Sequence, residues 1–128
     1  MSQRFKMGWE KMQQIGGEQS EKVINQLESI AHGFSNHIVE YAFGDIFCRE
    51  GLDLKQRELV LIASLVTQGD CDSWLHLHIN AGLNAGLKPE EIVEAMVQCS
   101  LPCGLPRVLN ALSIVGQVFK ERKIKPFD

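Results

Sequence analysis

The sequence predicts an all-α fold, and three observations support this class. Apolar residues recur at spacings of three and four, and no segment shows a convincing period of two. Capping residues and glycine stops divide the chain into pieces of helical length. The 128 residues, 45% apolar and 23% charged, are typical of a globular domain. We therefore expect one domain over residues 1–128, a compact bundle of five to seven helices with its core at about 20–121.

The first predicted helices lie upstream of residue 50. The segments SEKVINQLESIA (20–31) and SNHIVEYAFGDIF (35–47) both repeat apolar residues at helical spacing. Each is long enough to form three helical turns. We therefore expect two amphipathic helices in this part of the chain.

The third predicted helix has the clearest boundaries. Asp53 precedes LKQRELVLIASLVTQG, Gln56 completes a capping box with it, and Gly69 ends the segment. The central run LVLIASLV (59–66) is apolar on nearly every side. A run of eight such residues also suits a buried strand, but the cap, the stop and the total length favour a buried helix over 54–68.

Three more helices follow, and their ends are marked by Asp, Gly and Pro. Asp70 is expected to cap a helix that covers 71–85. Proline at a first-turn position opens the next helix, over roughly 89–100, and Pro102 disfavours its continuation. The last predicted helix covers 106–121. Together with helix 54–68 it carries more apolar surface than so short a chain can bury, which predicts a homo-oligomer.

The charge and hydropathy of the chain exclude several classes of function. A net charge of −3 without a basic stripe argues against binding of nucleic acid, which needs clustered Lys and Arg. No stretch approaches the roughly 18 apolar residues of a membrane span. The N-terminal MSQRFKMGWEKMQQ lacks the apolar core of a signal peptide. We therefore expect a cytoplasmic protein with a small-molecule substrate and no nucleic-acid or membrane partner.

The cysteines indicate reduced thiols and no metal. Cys48, Cys71, Cys99 and Cys103 form no C-x-x-C pair, the spacing of zinc knuckles and thioredoxin-like sites. A cytoplasmic compartment keeps thiols reduced, and no closed set of four metal ligands is visible. Cys99 and Cys103 would share a face of one helix, and the sequence leaves open whether either meets Cys71.

The segment CDSWLHLHINAGLNAG (71–86) carries the candidate functional groups. One face of its helical wheel combines a histidine and a cysteine with apolar and small residues. The members of this face are Cys71, Trp74, Leu75, His78, Ala81, Gly82 and Ala85. His76 falls on the opposite face, where we expect a solvated surface residue. His78 is either a core histidine that a backbone carbonyl satisfies or a functional group.

The position of Glu58 favours a functional role for His78. It lies in the first turn of helix 54–68, at the head of an apolar stripe. A carboxylate there is either solvated or directed into the core, and in the core it needs a partner. His78 is a suitable partner, and the two would form an acid–base unit. Cys71 starts its helix where a thiolate is favoured, but about 10.5 Å of helix rise separates it from His78, and an ordinary half-buried thiol is the alternative.

Two long stretches resemble a known family. The run HIVEYAFGDIFCREGLDLKQRELVLIASLVTQG, followed by LHLHINAGLNAGLKPEEIVEAMVQCSLPCGLPRVLNAL, is similar to the carboxymuconolactone decarboxylase family over roughly residues 5–120. The resemblance implies the compact all-α fold of alkyl hydroperoxide reductase D and assembly into homotrimers or homohexamers. It also implies one of two activities. One branch releases carbon dioxide from 4-carboxymuconolactone in aromatic catabolism, and the other reduces hydroperoxides with a C-x-x-C thiol pair.

The resemblance assigns roles to particular residues. Its glutamate matches Glu58, its histidine matches His78 and its first cysteine matches Cys71. The second cysteine, which is expected to attack the peroxide, is replaced by Trp74, which disfavours the peroxidase activity. Similarity to the decarboxylase branch extends through EYAFGDIFCREGLDL (40–54), whereas the tyrosine of that branch near 100–106 is missing.

We therefore expect a decarboxylase that needs no metal or organic cofactor. His78 would transfer the proton, and Glu58 would orient the imidazole of His78. Arg49 would hold a substrate carboxylate, or else form a surface ion pair, and Glu40 and Trp74 would contribute to the substrate pocket. The alternatives are a thiol peroxidase that uses Cys71 and a non-catalytic oligomer that binds a small ligand.

Overall fold

The computed structural model describes residues 1–125, and in this range the chain is helical, with no β-strand. The elements in chain order are α1 (Gln3–Ile30), α2 (Phe34–Ile38), a π-helical segment (Val39–Ile46), α3 (Leu54–Gln68), α4 (Asp72–Asn84), α5 (Pro89–Cys103) and α6 (Leu105–Glu121). The all-α class and the predicted number of helices are confirmed. The single domain over 1–128 stays a prediction, and its residues 126–128 lie outside the described residues. None of the helices within residues 1–125 combines the length and the hydropathy of a membrane-spanning segment.

The chain divides into two compact units, Met1–Asp53 and Leu54–Asp128. In the first unit, α1 packs against the π-helical segment around a small core of Met12, Ile24 and Val39. The prediction for 20–31 found only the second part of α1, which is joined to a first helical part across a kink at Gly17, where φ is 55° and ψ is −140°. Gly17 is non-helical and thus separates two helical stretches within α1.

The prediction for 35–47 was correct in being helical but missed the type of helix. The chain turns from α2 directly into the wider π-helix, and the Phe47 N–H donates to the Ala42 carbonyl five residues earlier, at 2.9 Å. π-Helical turns are rare and frequently occur at functional sites. The apolar spacing of 35–47 fits the period of an ordinary α-helix, so the wider π-helical turns were not expected from the sequence.

The second unit packs α3, α4, α5 and α6 around one apolar core. Ile62, Ile79, Ile92, Met96 and Val118 are fully buried there. Helix α3 has the predicted bounds. Its apolar side chains do not all reach the core, since Val60 remains 56% exposed.

The predicted cap of α4 was wrong. Asp70 has a left-handed φ of 54° and follows Gly69, which has a φ of 73°. These two residues make the turn one position longer, so Cys71 occupies the N-cap position and no side chain caps the helix there.

The predicted interruption at Pro102 was also wrong. Helix α5 continues through Pro102 to Cys103, and Gly104, with a φ of 79°, ends it. Pro102 stands in the last turn, where the missing N–H removes one intrahelical hydrogen bond and the helix stops directly afterwards. As a result, Cys99 and Cys103 belong to the same continuous helix.

Candidate active site

Helix α3 brings one carboxyl group into the interior of the second unit. The buried positions of α3 are Glu58, Ile62 and Val66, which lie four residues apart and therefore form one stripe. Glu58 is 0% exposed. The apolar stripe that carries Ile62 and Val66 into the core thus carries Glu58 with it.

Helix α4 supplies the partner of this carboxylate. His78 Nδ1 lies 2.8 Å from Glu58 Oε2, and the histidine side chain is 19% exposed. An ionised carboxylate only accepts hydrogen bonds, so an ionised Glu58 places the imidazole proton on Nδ1. The other ring nitrogen of His78 is then available to exchange a proton with a bound molecule.

The second oxygen of Glu58 has no hydrogen-bond partner. Within residues 1–125, Oε1 of Glu58 is the one buried side-chain oxygen or nitrogen without such a partner. A carboxylate oxygen can accept a hydrogen bond. Among the described protein atoms, Glu58 therefore meets His78 through Oε2 alone.

Gly82 allows α3 and α4 to approach each other beside the pair. It lies one turn after His78, and a Cβ atom there would lie 2.8 Å from Leu87 Cδ1, 3.3 Å from Ile62 Cδ1 and 3.7 Å from Glu58 Cβ. Gly82, which the wheel placed beside His78, thus makes room for α3 and for Leu87. Leu87 was absent from the predicted site, although its position directly after the Gly86 stop indicated a residue that folds back onto its own helix.

Trp74 does not share the buried face of α4. Its side chain is 51% exposed, whereas Leu75, Ile79 and Gly82 are buried. The buried face is therefore rotated from the predicted one, because α4 packs against both α3 and α6. His78 lies at the edge of this face, which explains its partial exposure.

Cys71 lies at the start of α4, and its thiol donates to the Gly69 carbonyl at 2.9 Å. A cavity of about 120 Å³ adjoins it, with Arg107 and Asn110 among the lining residues. All four cysteines are free thiols. Cys99 and Cys103 interact with each other on α5, where the Cys103 thiol donates to the Cys99 carbonyl at 2.7 Å.

His76 is less solvated than predicted. Its side chain is 24% exposed, and Nε2 lies 2.7 Å from Glu121 Oε1 of α6. The pairing of α4 with the C-terminal turn of α6 was not visible in the sequence, because 45 residues separate the partners. Across residues 1–125, no three His, Cys, Asp or Glu side chains are grouped as metal ligands.

The remaining candidates lie in the first unit. Glu40 accepts from Arg4 Nη1 at 3.2 Å. Arg4 also binds Asp45, with N–O distances of 3.0 and 2.7 Å, and this hydrogen bonding and charge hold the pKa of Asp45 below its usual value. Arg49 is exposed. Arg4 and Asp45 were absent from the predicted site, and their spacing of 41 residues gave no local signal.

Comparison with known proteins identifies relatives of this chain. The model of the carboxymuconolactone decarboxylase family matches residues 33–117, a range that includes both Glu58 and His78. A 4-carboxymuconolactone decarboxylase from Acinetobacter baylyi is 34% identical over 80 residues, which is 62% of this chain. The chain spans 59% of the length of that relative.

Proposed function

Since this chain belongs to the carboxymuconolactone decarboxylase family, we propose that it decarboxylates 4-carboxymuconolactone or a related small carboxylated lactone. The observation that carries the proposal is the 2.8 Å contact between His78 and the fully buried Glu58. An imidazole oriented by a buried carboxylate can serve as a positioned acid–base group. The name of the curated relative supports the choice of substrate.

The proposed reaction needs one proton and an electron acceptor. The bond between the ring carbon and the carboxylate breaks, carbon dioxide leaves, and the electron pair delocalises through the ring double bond to the lactone carbonyl. The lactone itself therefore accepts the electrons, so that no metal or organic cofactor is needed. Protonation of the ring carbon beside the carbonyl then gives the enol-lactone.

His78 is the proposed proton donor in this step. Nδ1 is held by Glu58, which fixes the orientation of the ring. Nε2 would deliver the proton to the ring carbon. Arg49 is proposed to hold a substrate carboxylate, because a planar guanidinium suits that geometry. Glu40 and Trp74 are proposed to contribute to the substrate pocket.

The direct test uses purified protein and 4-carboxymuconolactone. We expect loss of the lactone with formation of one carbon dioxide and one enol-lactone per molecule consumed, followed by absorbance and by product chromatography. A Cys71→Ser variant should retain this activity. No turnover by the wild type would contradict the substrate, and Cys71-dependent consumption of hydroperoxide with a dithiol reductant would instead support the peroxidase alternative.

We also propose that copies of this chain associate. Leu101, Leu105 and Leu109 at the junction of α5 and α6 are 78%, 64% and 61% exposed, and leucines so exposed at regular spacing favour burial against a partner. The family implies a homotrimer or a homohexamer.

Light scattering after size-exclusion chromatography tests this association. The wild type should elute as a trimer or a hexamer, and Leu105→Glu should elute as a smaller species with unchanged helical circular dichroism. Ile30→Glu is the control, because Ile30 is 83% exposed in the first unit and should leave the assembly intact. A monomeric wild type would contradict the proposal.

A further inference from the structure

We propose that Cys99 and Cys103 form a binding site for trivalent organoarsenicals, in which one arsenic atom takes both sulfurs and its apolar substituent occupies the groove between α3 and α5. This site uses neither Glu58 nor His78, and it is independent of the proposed decarboxylase activity.

The two thiols are arranged as a pair by α5. Residues four apart on an α-helix have Cβ atoms about 5–6 Å apart on one face. The Cys103 thiol donates to the Cys99 carbonyl at 2.7 Å, so its side chain lies back along the helix towards Cys99. Cys99 is buried, Cys103 is half-buried, and both are free thiols. The helix therefore holds two sulfurs close together before any ligand arrives.

The spacing suits a bridging atom better than a direct bond between the sulfurs. A disulfide requires Cβ atoms about 3.5–4.5 Å apart. The backbone of a continuous α-helix holds the Cβ atoms of residues four apart at a greater distance. A single atom bonded to both sulfurs spans a wider gap. Thiolates prefer soft acceptors, and trivalent arsenic is a soft acceptor that forms two such bonds.

The groove beside Cys99 selects an apolar substituent. It has a volume of about 950 Å³. Its wall combines polar residues, among them Glu91 and Glu94, with an apolar part formed by Leu59, Ala63, Ala95, Cys99 and Pro102. Grooves of this size accommodate organic ligands of moderate size. An aryl group attached to arsenic would thus rest on apolar side chains while the arsenic binds the thiols.

The binding step is balanced without an oxidant or a reductant. With phenylarsine oxide, each thiol forms one sulfur–arsenic bond, the arsenic–oxygen bonds break, and both thiol protons leave with that oxygen as one water. Arsenic remains trivalent. Cys103 reacts first because it is more exposed. Burial, with a further contribution from Cys103, raises the pKa of Cys99. Cys99 therefore reacts second, as a thiol that is already held beside the arsenic, and its bond closes the ring that contains both sulfurs and the arsenic.

Titration of the folded full-length chain with phenylarsine oxide tests the site. Intact-mass spectrometry should show one phenylarsenic group per chain with loss of one water, and 2,3-dimercaptopropanol should remove it. Cys99→Ser and Cys103→Ser should each weaken binding about 100-fold or more, since the second bond is intramolecular. The matched controls Cys48→Ser and Cys71→Ser should bind like the wild type.

Two results would overturn the proposal. One is unchanged binding by Cys99→Ser and Cys103→Ser variants that retain wild-type circular dichroism. The other is labelling of the wild type only after denaturation. To test the groove, the affinities for phenylarsine oxide and for arsenite are measured both for the protein and for a small free dithiol. If the protein prefers phenylarsine oxide over arsenite no more strongly than the free dithiol does, the groove has no role in binding.

Discussion

Replacing His78 with alanine should lower kcat for lactone decarboxylation about 10²–10⁴-fold, the usual contribution of a positioned acid–base group. The substitution removes the proposed proton donor. Because proton delivery occurs after substrate binding, kcat should fall much more than KM changes. The measurement is steady-state kinetics on protein whose circular dichroism matches that of the wild type.

The design of this experiment has to separate catalysis from folding. His78→Ala removes the one protein partner that the buried Glu58 carboxyl group has among residues 1–125, and an uncompensated buried charge costs about 3–5 kcal/mol of stability. His78→Gln provides an amide donor for Glu58 but cannot transfer a proton, so it should be better folded and equally inactive. His76→Ala is the matched control, because His76 pairs with Glu121 and should leave kcat unchanged. A His78→Gln variant with near wild-type kcat would contradict the proposed role.

Gly8→Ala should produce the largest loss of stability outside the site. A Cβ atom at Gly8 would lie 2.0 Å from the Val39 carbonyl oxygen and 3.0 Å from the Gly44 amide nitrogen. Both contacts are with backbone, which cannot move aside as a flexible side chain can. We expect the free energy of unfolding to fall by about 3 kcal/mol, at the upper end of overpacking effects. Urea denaturation followed by circular dichroism measures it.

Gly116→Ala is the control for this prediction. Gly116 lies on α6, and a Cβ atom there has no neighbour within 4 Å. Alanine at this position should raise stability by about 0.5–1 kcal/mol through its higher helix propensity. The two substitutions are chemically identical. Opposite changes in the free energy of unfolding would therefore show that the effect at Gly8 comes from the close approach of two backbone segments. Equal effects would contradict that explanation.

Local sequence signals were sufficient where the determining contacts are local. The bounds of α3 followed from capping, a glycine stop and a continuous apolar run, all within one segment. The same signals failed at Pro102, because the effect of a proline depends on which turn of the helix it occupies. They also failed at Asp70, where two consecutive left-handed residues lengthened the turn. In both cases the residue type was informative and its position in the element was not known.

The sequence by itself determined the all-α class, the helical spacing that puts Glu58 in line with Ile62, and the opposed directions of His76 and His78. These properties depend on periodicity along one chain segment, which the order of residues fixes. Only the tertiary structure decided which groups meet: that Glu58 contacts His78, that His76 contacts Glu121, and that Trp74 faces outwards. Such contacts depend on the rotation and separation of packed helices, and these are set by the combined fit of many distant side chains.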